Sequence, residues 1–464
     1  MVLWIGVDDT DSLRGMCTTF LATEIVRDLT EDFDLIGYPR LVRLNPNIPW
    51  KTRGNGAVCL RVGHGRGSRT LVGEICGRKI RSFARSSKDV DANEVVRRVA
   101  KLVERWSCFD DPTTNPAFVV LHRPPSAKLY WHAVRSVVKI GEARRAIRGL
   151  GVVRSYKTGR GIIGASAAAA WRPRDRTYEV LAYREPDAWG TRRIVEPNSV
   201  MAMDQAFPTT FNNYDYDNRR AVITPRSPCP VLLGIRGDRP LDLEPALSTI
   251  QGERPERWLM FETNQGTDDH VTHGPPRREF TTVEFGGHVT SAPKTIAGGH
   301  VIFEVSGNGV TAYEPSKQFR RIVRLLEPGD EVRVIGAVRG SPKTVNLEKI
   351  EVLRLAEVGR KPTHPRCPAC GGRMRSRGRA AAYRCSRCGH HEPRGGEVGP
   401  PVVRELGVGW YEPPVGSRRH LSKPVKRMGV PRVMNGPNQA QLGVQGRESD
   451  TSPRNTGPPS KGSP

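Results

Sequence analysis

Two cysteine pairs, Cys367 with Cys370 and Cys385 with Cys388, constrain the fold of this chain more tightly than any other feature. Fourteen residues separate the pairs. Two hairpin knuckles at that spacing can close four thiolates around one tetrahedral zinc ion, and a site with four protein ligands is structural, with no position left for catalysis. Between the outer cysteines stand Arg373, Arg375, Arg377, Arg379, Arg384 and Arg387 and no acid. The arginines are what such a ribbon displays, to nucleic-acid phosphates or to solvent. The other five cysteines, Cys17, Cys59, Cys76, Cys108 and Cys229, are scattered singly. That is the pattern of reduced thiols, not of a disulfide framework.

The basic excess extends beyond the ribbon. Lys and Arg number 73 against 48 Asp and Glu, a net charge of +25, which points to a polyanionic partner. The 464 residues are enough for three to four domains. No apolar run approaches the roughly 20 residues that span a bilayer, and acids stand where a signal peptide carries its basic end. The sequence thus predicts a cytoplasmic protein, with no membrane and no obligate protein partner called for.

The first 265 residues alternate strand and helix patterns, predicting intertwined α/β or α+β layers. The stretch TTFLATEIVRDL reads as an amphipathic helix, GYPRLVRLN and NGAVCLRV as strands, and 88–106 as a helix capped by Asp91. From about 278 the pattern becomes short strands with polar turns and one short helix near 315–326. That order matches a five-stranded barrel of the OB kind, or another small barrel. Beyond 395 the chain turns rich in Gly, Pro, Ser and Asn, predicting disorder at its end. Within it, GWYEPPVGSRRHLSKPVKRM interleaves Trp410 and Tyr411 with Arg418, Arg419, His420, Lys423, Lys426 and Arg427. This suits either ordering on RNA or a solvated tail.

Two motifs carry chemistry. IGVDDTDSLRGMCTT places Asp8, Asp9 and Asp11 at the end of an apolar run. Carboxylates that diverge along a strand can converge in a turn, where magnesium is the cation they share with nucleotide phosphates. Capping of the next helix by Asp11 or Ser12 would account for one residue and leave the other acids unexplained. TGRGIIGASAAAAW supplies Gly159, Gly161 and Gly164 before an alanine-rich helix, a cradle for a phosphate. It is also a literal G-x-G-x-x-G with Glu185 about twenty residues on, so an NAD-dependent dehydrogenase is an alternative. A non-enzymatic RNA-binding protein built on barrel and ribbon is another.

Together, GVDDTDSLRGMCTT, FPTTFNNYDYDNRR, SPCPVLLGIRG, FETNQGTDDH and the RRHLSKP block resemble, in order, the archaeal synthetase family that attaches agmatine to the wobble cytidine of an isoleucine tRNA. The resemblance runs from residue 1 to about 427. It implies a multidomain α+β fold: a kinase-like ATP domain (1–60 and 135–195) interleaved with a ferredoxin-like domain (61–134 and 196–265). An OB barrel (266–357), a zinc ribbon (358–395) and a basic tail (396–464) would follow.

The resemblance also implies the reaction, in which the cytosine C2 oxygen is phosphorylated from ATP and displaced by the amine of agmatine. The tRNA is the isoleucine acceptor with a CAU anticodon, and ATP, magnesium and structural zinc are the cofactors. Asp8, Asp9 and Asp11 match the family's phosphate-handling acids, and Thr18 its self-phosphorylated threonine. Ser12 joins the glycines at ATP. The segment 198–215 would hold agmatine, through Asn198, Ser199, Asp204, Gln205, Asn213 and Asp215. Arg373, Arg375, Arg377, Arg379, Arg418 and Arg419 would meet RNA, and Arg53 and Asn55 could touch ATP or RNA.

Overall fold

The computed structural model describes residues 2–87, 89–340, 343–357, 365–376, 382–393 and 404–429. Arg377, Arg379 and the tail from 430 lie outside the described residues. The N-terminal half is built on one twelve-stranded sheet. Its strands and helices begin with β1 (Leu3–Asp8), α1 (Thr18–Leu29), β2 (Asp34–Ile36), β3 (Arg40–Arg43), β4 (Gly56–Gly63), β5 (Gly65–Ile75), β6 (Arg78–Ser86) and α2 (Ala92–Trp106). There follow β7 (Ala117–Leu121), α3 (Ala127–Arg135), α4 (Ile140–Ala146), β8 (Gly151–Ser155), α5 (Ile162–Ala170), β9 (Thr177–Tyr183) and α6 (Pro197–Ala206). This half closes with β10 (Thr210–Phe211), the two-stranded ribbon β11 (Tyr214–Asp215) and β12 (Arg220–Ala221), then β13 (Val231–Gly237), α7 (Leu243–Ser248) and β14 (Arg257–Thr263).

Period-two alternation decides which face each strand residue serves. On β1, Leu3, Ile5 and Val7 join the core under α1 and α2, as do Val58, Leu60 and Val62 of β4 and Phe118 and Val120 of β7. The intervening Ala57, Cys59, Ala117, Val119 and Leu121 face α3 and α5. There α5, nearly all alanine, sits so close that a Cβ on Gly6 would fall 2.1 Å from the Ala165 carbonyl oxygen. Asp91 caps α2, its carboxylate accepting from the Asn93 N–H at 2.9 Å.

The ladders remove the dehydrogenase alternative. β1 runs antiparallel to both neighbours, β4 and β7. The glycine motif follows β8, an edge strand antiparallel to β7. A dinucleotide fold needs parallel strands on both sides of a crossover helix. Here a literal motif sits in the wrong topology.

The second half begins with β15 (Val271–His273) and β16 (Thr282–Thr295), then β17 (Val301–Val305), β18 (Asn308–Ala312), α8 (Phe319–Arg324), β19 (Glu331–Arg339) and β20 (Thr344–Arg354). β16, β17, β18, β20 and β19 pair in that order, and β19 returns to β16, closing a five-stranded ring. Phe319, Ile322 and Val323 of α8 plug its core. The cysteine region forms β21 (Met374–Ser376), β22 (Tyr383–Cys385) and β23 (His391–Glu392). Last, β24 (Gly409–Tyr411) pairs antiparallel with β20. The aromatic and basic segment is therefore packed protein, not solvated tail: Trp410 and Tyr411 are buried, and Arg427 pairs with Asp175 at 3.0 Å.

Candidate active site

A cavity of about 410 Å³ opens where the turn after β1, the start of α1, the 50–56 loop and the start of α5 meet. Asp8, Asp9, Asp11 and Thr18 all line it. Asp9 holds a left-handed backbone, φ 59°, which an L-residue adopts at a cost and which turns the acids off the strand line. Burial, then Asp9 and Asp11, push the Asp8 carboxyl well above its ordinary range. Burial and then Asp11 push Asp9 up to about 6, while Arg160 pulls the other way. Among nearby cations, Arg53 pairs with Asp11 at 3.1 Å. Crowded, desolvated carboxylates with too little positive charge are the donor set that a hard divalent cation satisfies.

Neither Asp11 nor Ser12 caps α1. The N-cap is Cys17, with no side-chain cap bond, and Cys17, Thr18 and Thr19 face the cavity, so the first N–H groups of the helix are available to an anion. The Thr18 hydroxyl accepts from Thr10 Oγ1 at 3.0 Å. Ser12 is committed elsewhere. Its hydroxyl donates to Asp111 at 2.6 Å, and Asp111 also takes the Leu13 N–H at 3.0 Å and Thr113 Oγ1 at 2.7 Å. These bonds hold the Asp111 carboxyl far below the usual range and pin the acid turn.

The three glycines are explained mainly by packing. Gly159 takes φ 73°, where a side chain is strained. A Cβ on Gly161 would lie 2.8 Å from Ala117 N, Asn115 O and Asp8 O, and one on Gly164 would lie 1.8 Å from Asp8 Oδ2. Gly164 lines the cavity; Gly161 lets α5 approach β1.

Away from the cavity, the Sγ atoms of Cys367, Cys370, Cys385 and Cys388 lie within 4.8 Å of one another, a span that suits tetrahedral zinc. Each knuckle turns on a glycine of positive φ, Gly371 at 68° and Gly389 at 76°. Arg375 lies opposite Arg384 in the ladder, both exposed. Like charges directly opposite destabilise a sheet unless an anion joins them.

Known proteins match nearly the whole of this chain, ribbon included. The chain is 38% identical over 445 residues to the isoleucine-tRNA 2-agmatinylcytidine synthetase TiaS of Methanocaldococcus jannaschii, covering 92% of this chain and 99% of that one. It belongs to the tRNA 2-agmatinylcytidine synthetase family. The Archaeoglobus fulgidus member is 39% identical, with 93% and 98% covered. Family profiles described as the TiaS TCKD domain, the TiaS FLD domain and the TiaS C-terminal zinc ribbon domain match residues 4–159, 159–270 and 364–406. Among solved structures, a complex of TiaS with its isoleucine tRNA and ATP superposes with TM-score 0.81 at 38% identity, covering 93% of this chain and 98% of that one. A complex of TiaS with the same tRNA, AMPCPP and agmatine does so with TM-score 0.76 at 35% identity and the same coverage.

In this synthetase the other expected site residues fall into two groups. The 198–215 residues are not in the cavity wall. Ser199 Oγ donates to the Glu196 carbonyl (2.7 Å) and accepts from Gln251 N (3.1 Å); Asn213 Nδ2 donates to Asp204 Oδ1 (3.0 Å); Asp215 accepts from Asn218. Asn198 and Gln205 are exposed on α6. These partners make the segment a self-bonded shelf, and the chain that follows it, 222–227, does line the cavity. Arg418 and Arg419 turn inward, Arg418 to Glu412 (3.0 Å) and Asn212 (2.8 Å), Arg419 to Glu348 (3.1 Å) and Asn47 (2.6 Å). They tie the C-terminal segment to the body of the protein. Arg373, Arg375, Arg384 and Arg387 are exposed, and Asn55 lines the cavity beside Arg53.

Reading the sequence missed several wall residues of the synthetase: Arg43, Arg160, Glu179, Arg236 and, as a cavity residue, His420. Arg160 lay inside the glycine motif. His420 lay in a quoted block, but only folding shows that it points at the acids' cavity.

Proposed function

We propose that the protein uses ATP to attach agmatine to C2 of the wobble cytidine in the CAU anticodon of isoleucine tRNA, which lets that tRNA read AUA. The observation that carries this reading is one cavity holding three crowded carboxylates, an uncapped helix start bearing Thr18, and several arginines. A non-enzymatic RNA-binding protein has no use for such a site.

Cytosine O2 is a poor leaving group until it is phosphorylated. In the first step a P–O bond of ATP breaks and one to O2 forms. In the second the agmatine amine bonds C2, the C2–O bond breaks, and phosphate departs with the electron pair. Asp8, Asp9 and Asp11 would hold magnesium together with the ATP phosphates, and that ion would neutralise charge on the transferring group. Arg160, beside Asp8 and Asp9, and the start of α5 complete the ATP end. Thr18, with its hydroxyl at the mouth of α1, serves as a phosphate acceptor. For agmatine, the acceptors of the 198–215 segment, Asn198, Ser199, Asp204, Gln205, Asn213 and Asp215, are the groups we assign, and the chain that follows them, 222–227, brings that segment to the cavity wall.

The target base must leave its stack to enter the cavity, so the tRNA has to be gripped elsewhere. The ring order β16, β17, β18, β20, β19 supports an OB barrel over 266–357, and the opposed arginines support phosphate contact by the ribbon. Segments 1–60 and 135–195 form the kinase-like part in this reading, and 61–134 and 196–265 the ferredoxin-like part. Cysteines without disulfides and the absence, among the described residues, of a helix able to cross a membrane support a cytoplasmic setting. The test incubates the protein with labelled agmatine, ATP, magnesium and unmodified isoleucine tRNA. Label in the wobble nucleoside is expected; ATP-independent tRNA binding with no label would overturn the reading.

A further inference from the structure

Arg43, the last residue of β3, is held at its backbone by Asn264, which accepts from its N–H and donates to its carbonyl, both at 2.8 Å. Its guanidinium has no ion pair or hydrogen bond among the described residues, and Nε is buried without an acceptor. Two other arginines of the wall differ. Arg53 pairs with Asp11, and Arg236 with Glu179 at 2.9 Å.

Beside Arg43 stands His420. The positive charges of Arg43 and, beyond it, Arg236 hold its imidazole below the ordinary histidine range. The ring is open to the cavity and makes no hydrogen bond among the described residues. Its backbone is clamped: its carbonyl accepts from Gly266 N at 2.8 Å, and that of buried Leu421 accepts from Asp268 N at 2.9 Å. Gly54 keeps the space between them clear. A Cβ there would lie 2.8 Å from Arg43 Nη1 and 3.5 Å from His420 Nε2.

We propose that Arg43 and His420 form an anion subsite that holds the phosphoryl group on the target base and the phosphate that leaves it. A guanidinium whose Nε is buried with no acceptor is costly, even with the charges of Glu179 and Asp11 nearby, and a multi-oxygen dianion satisfies it together with a neighbouring ring N–H. Cationic agmatine does not suit the same place. The proposal rests on the reaction above and balances with it. The neutral amine and the C2–O–phosphoryl group give C2–NH–R and hydrogen phosphate, so the amine proton departs on the phosphate and neither residue is consumed.

The test titrates inorganic phosphate into the full-length protein and follows ³¹P line broadening. Wild type is expected to bind it, Arg43→Met to bind at least tenfold more weakly, Arg43→Lys to recover most of the loss, and His420→Gln to weaken binding severalfold. Modification by Arg43→Met should fall at least a hundredfold. No phosphate binding by wild type, or wild-type affinity in Arg43→Met, overturns the subsite. If Arg43→Met does not fold, unchanged affinity in His420→Gln does so alone. Failure of the unaltered protein to label tRNA with agmatine would instead sink the functional reading, whatever the phosphate titration gave.

Discussion

The cavity and the cysteine ribbon are built in opposite ways. The ribbon closes over 22 residues, from Cys367 to Cys388, and its ligands, knuckle glycines and arginines are neighbours in the chain. The cavity draws on Asp8, Arg43, Gly164, Glu179, Arg236 and His420, and it exists only once strands and helices of the twelve-stranded sheet and a C-terminal segment have packed. Local chemistry supports a grip that can be removed by itself. Chemistry assembled from long range cannot be separated from the fold.

The sharpest way to break that contrast is to remove the acids. Asp8→Ala or Asp9→Ala should lower modification by about a thousandfold or more and leave tRNA affinity within about twofold, since transition-state charge is what they serve. A parallel fall in affinity would show that cavity and grip are one surface.

Gly164→Ala places a methyl group against the Asp8 carboxylate and should cost about a hundredfold in activity. Gly161→Ala meets three backbone atoms instead and should cost stability, about 1–3 kcal/mol by denaturant titration. If Gly161→Ala altered only the ATP requirement, the glycine would be a phosphate cradle after all, not a packing contact.

Reversal of Arg375 and Arg384 to Glu should weaken tRNA binding about tenfold or more, and each lost phosphate contact should flatten the logarithmic salt slope by roughly 0.7 to 0.9. Phosphate transfer to Thr18 without RNA should not change. Metal analysis should give one zinc for this cluster, lost in Cys385→Ser.

Arg419→Ala tests the inward-facing segment. It leaves Glu348 short of a partner, so stability should fall by about 1–3 kcal/mol with tRNA affinity unchanged. Selective loss of affinity would return this residue to the RNA surface.

The smallest effect concerns pH. With Asp9 at about 6 when folded and about 3.9 when unfolded, the folded state binds more protons between those values. Stability from this group therefore falls as pH rises from about 4 through 6. A divalent cation replaces that proton, so the melting shift caused by magnesium with ATP should grow between pH 5.5 and 7.5. In Asp9→Asn it should be small and flat.

Much of the fold was legible where periodicity is local. TTFLATEIVRDL is α1 residue for residue, Asp91 caps α2, and the short helix expected at 315–326 is α8 with the turn before it. In the tail, Trp410 and Arg419 look exposed in a string rich in Gly and Pro, but folding brings Glu351 beside Trp410 and Glu348 to Arg419, and Arg418 turns back to Glu412 of its own segment. The 198–215 polar groups bond largely among themselves in the fold, which the sequence could not show, since it lists donors and acceptors without saying which satisfy each other.

By itself the sequence determined the zinc ribbon, the acid turn and the resemblance to one family, because four thiols or three carboxylates within a few residues of one another cannot avoid acting together. Only the tertiary structure decided that Gly161 and Gly164 are spacers against β1 and Asp8, that Ser12 belongs to Asp111, and that His420 faces Arg43. Each of those depends on which strand lies beside which, and sheet order is set by packing over hundreds of residues that local pattern does not encode.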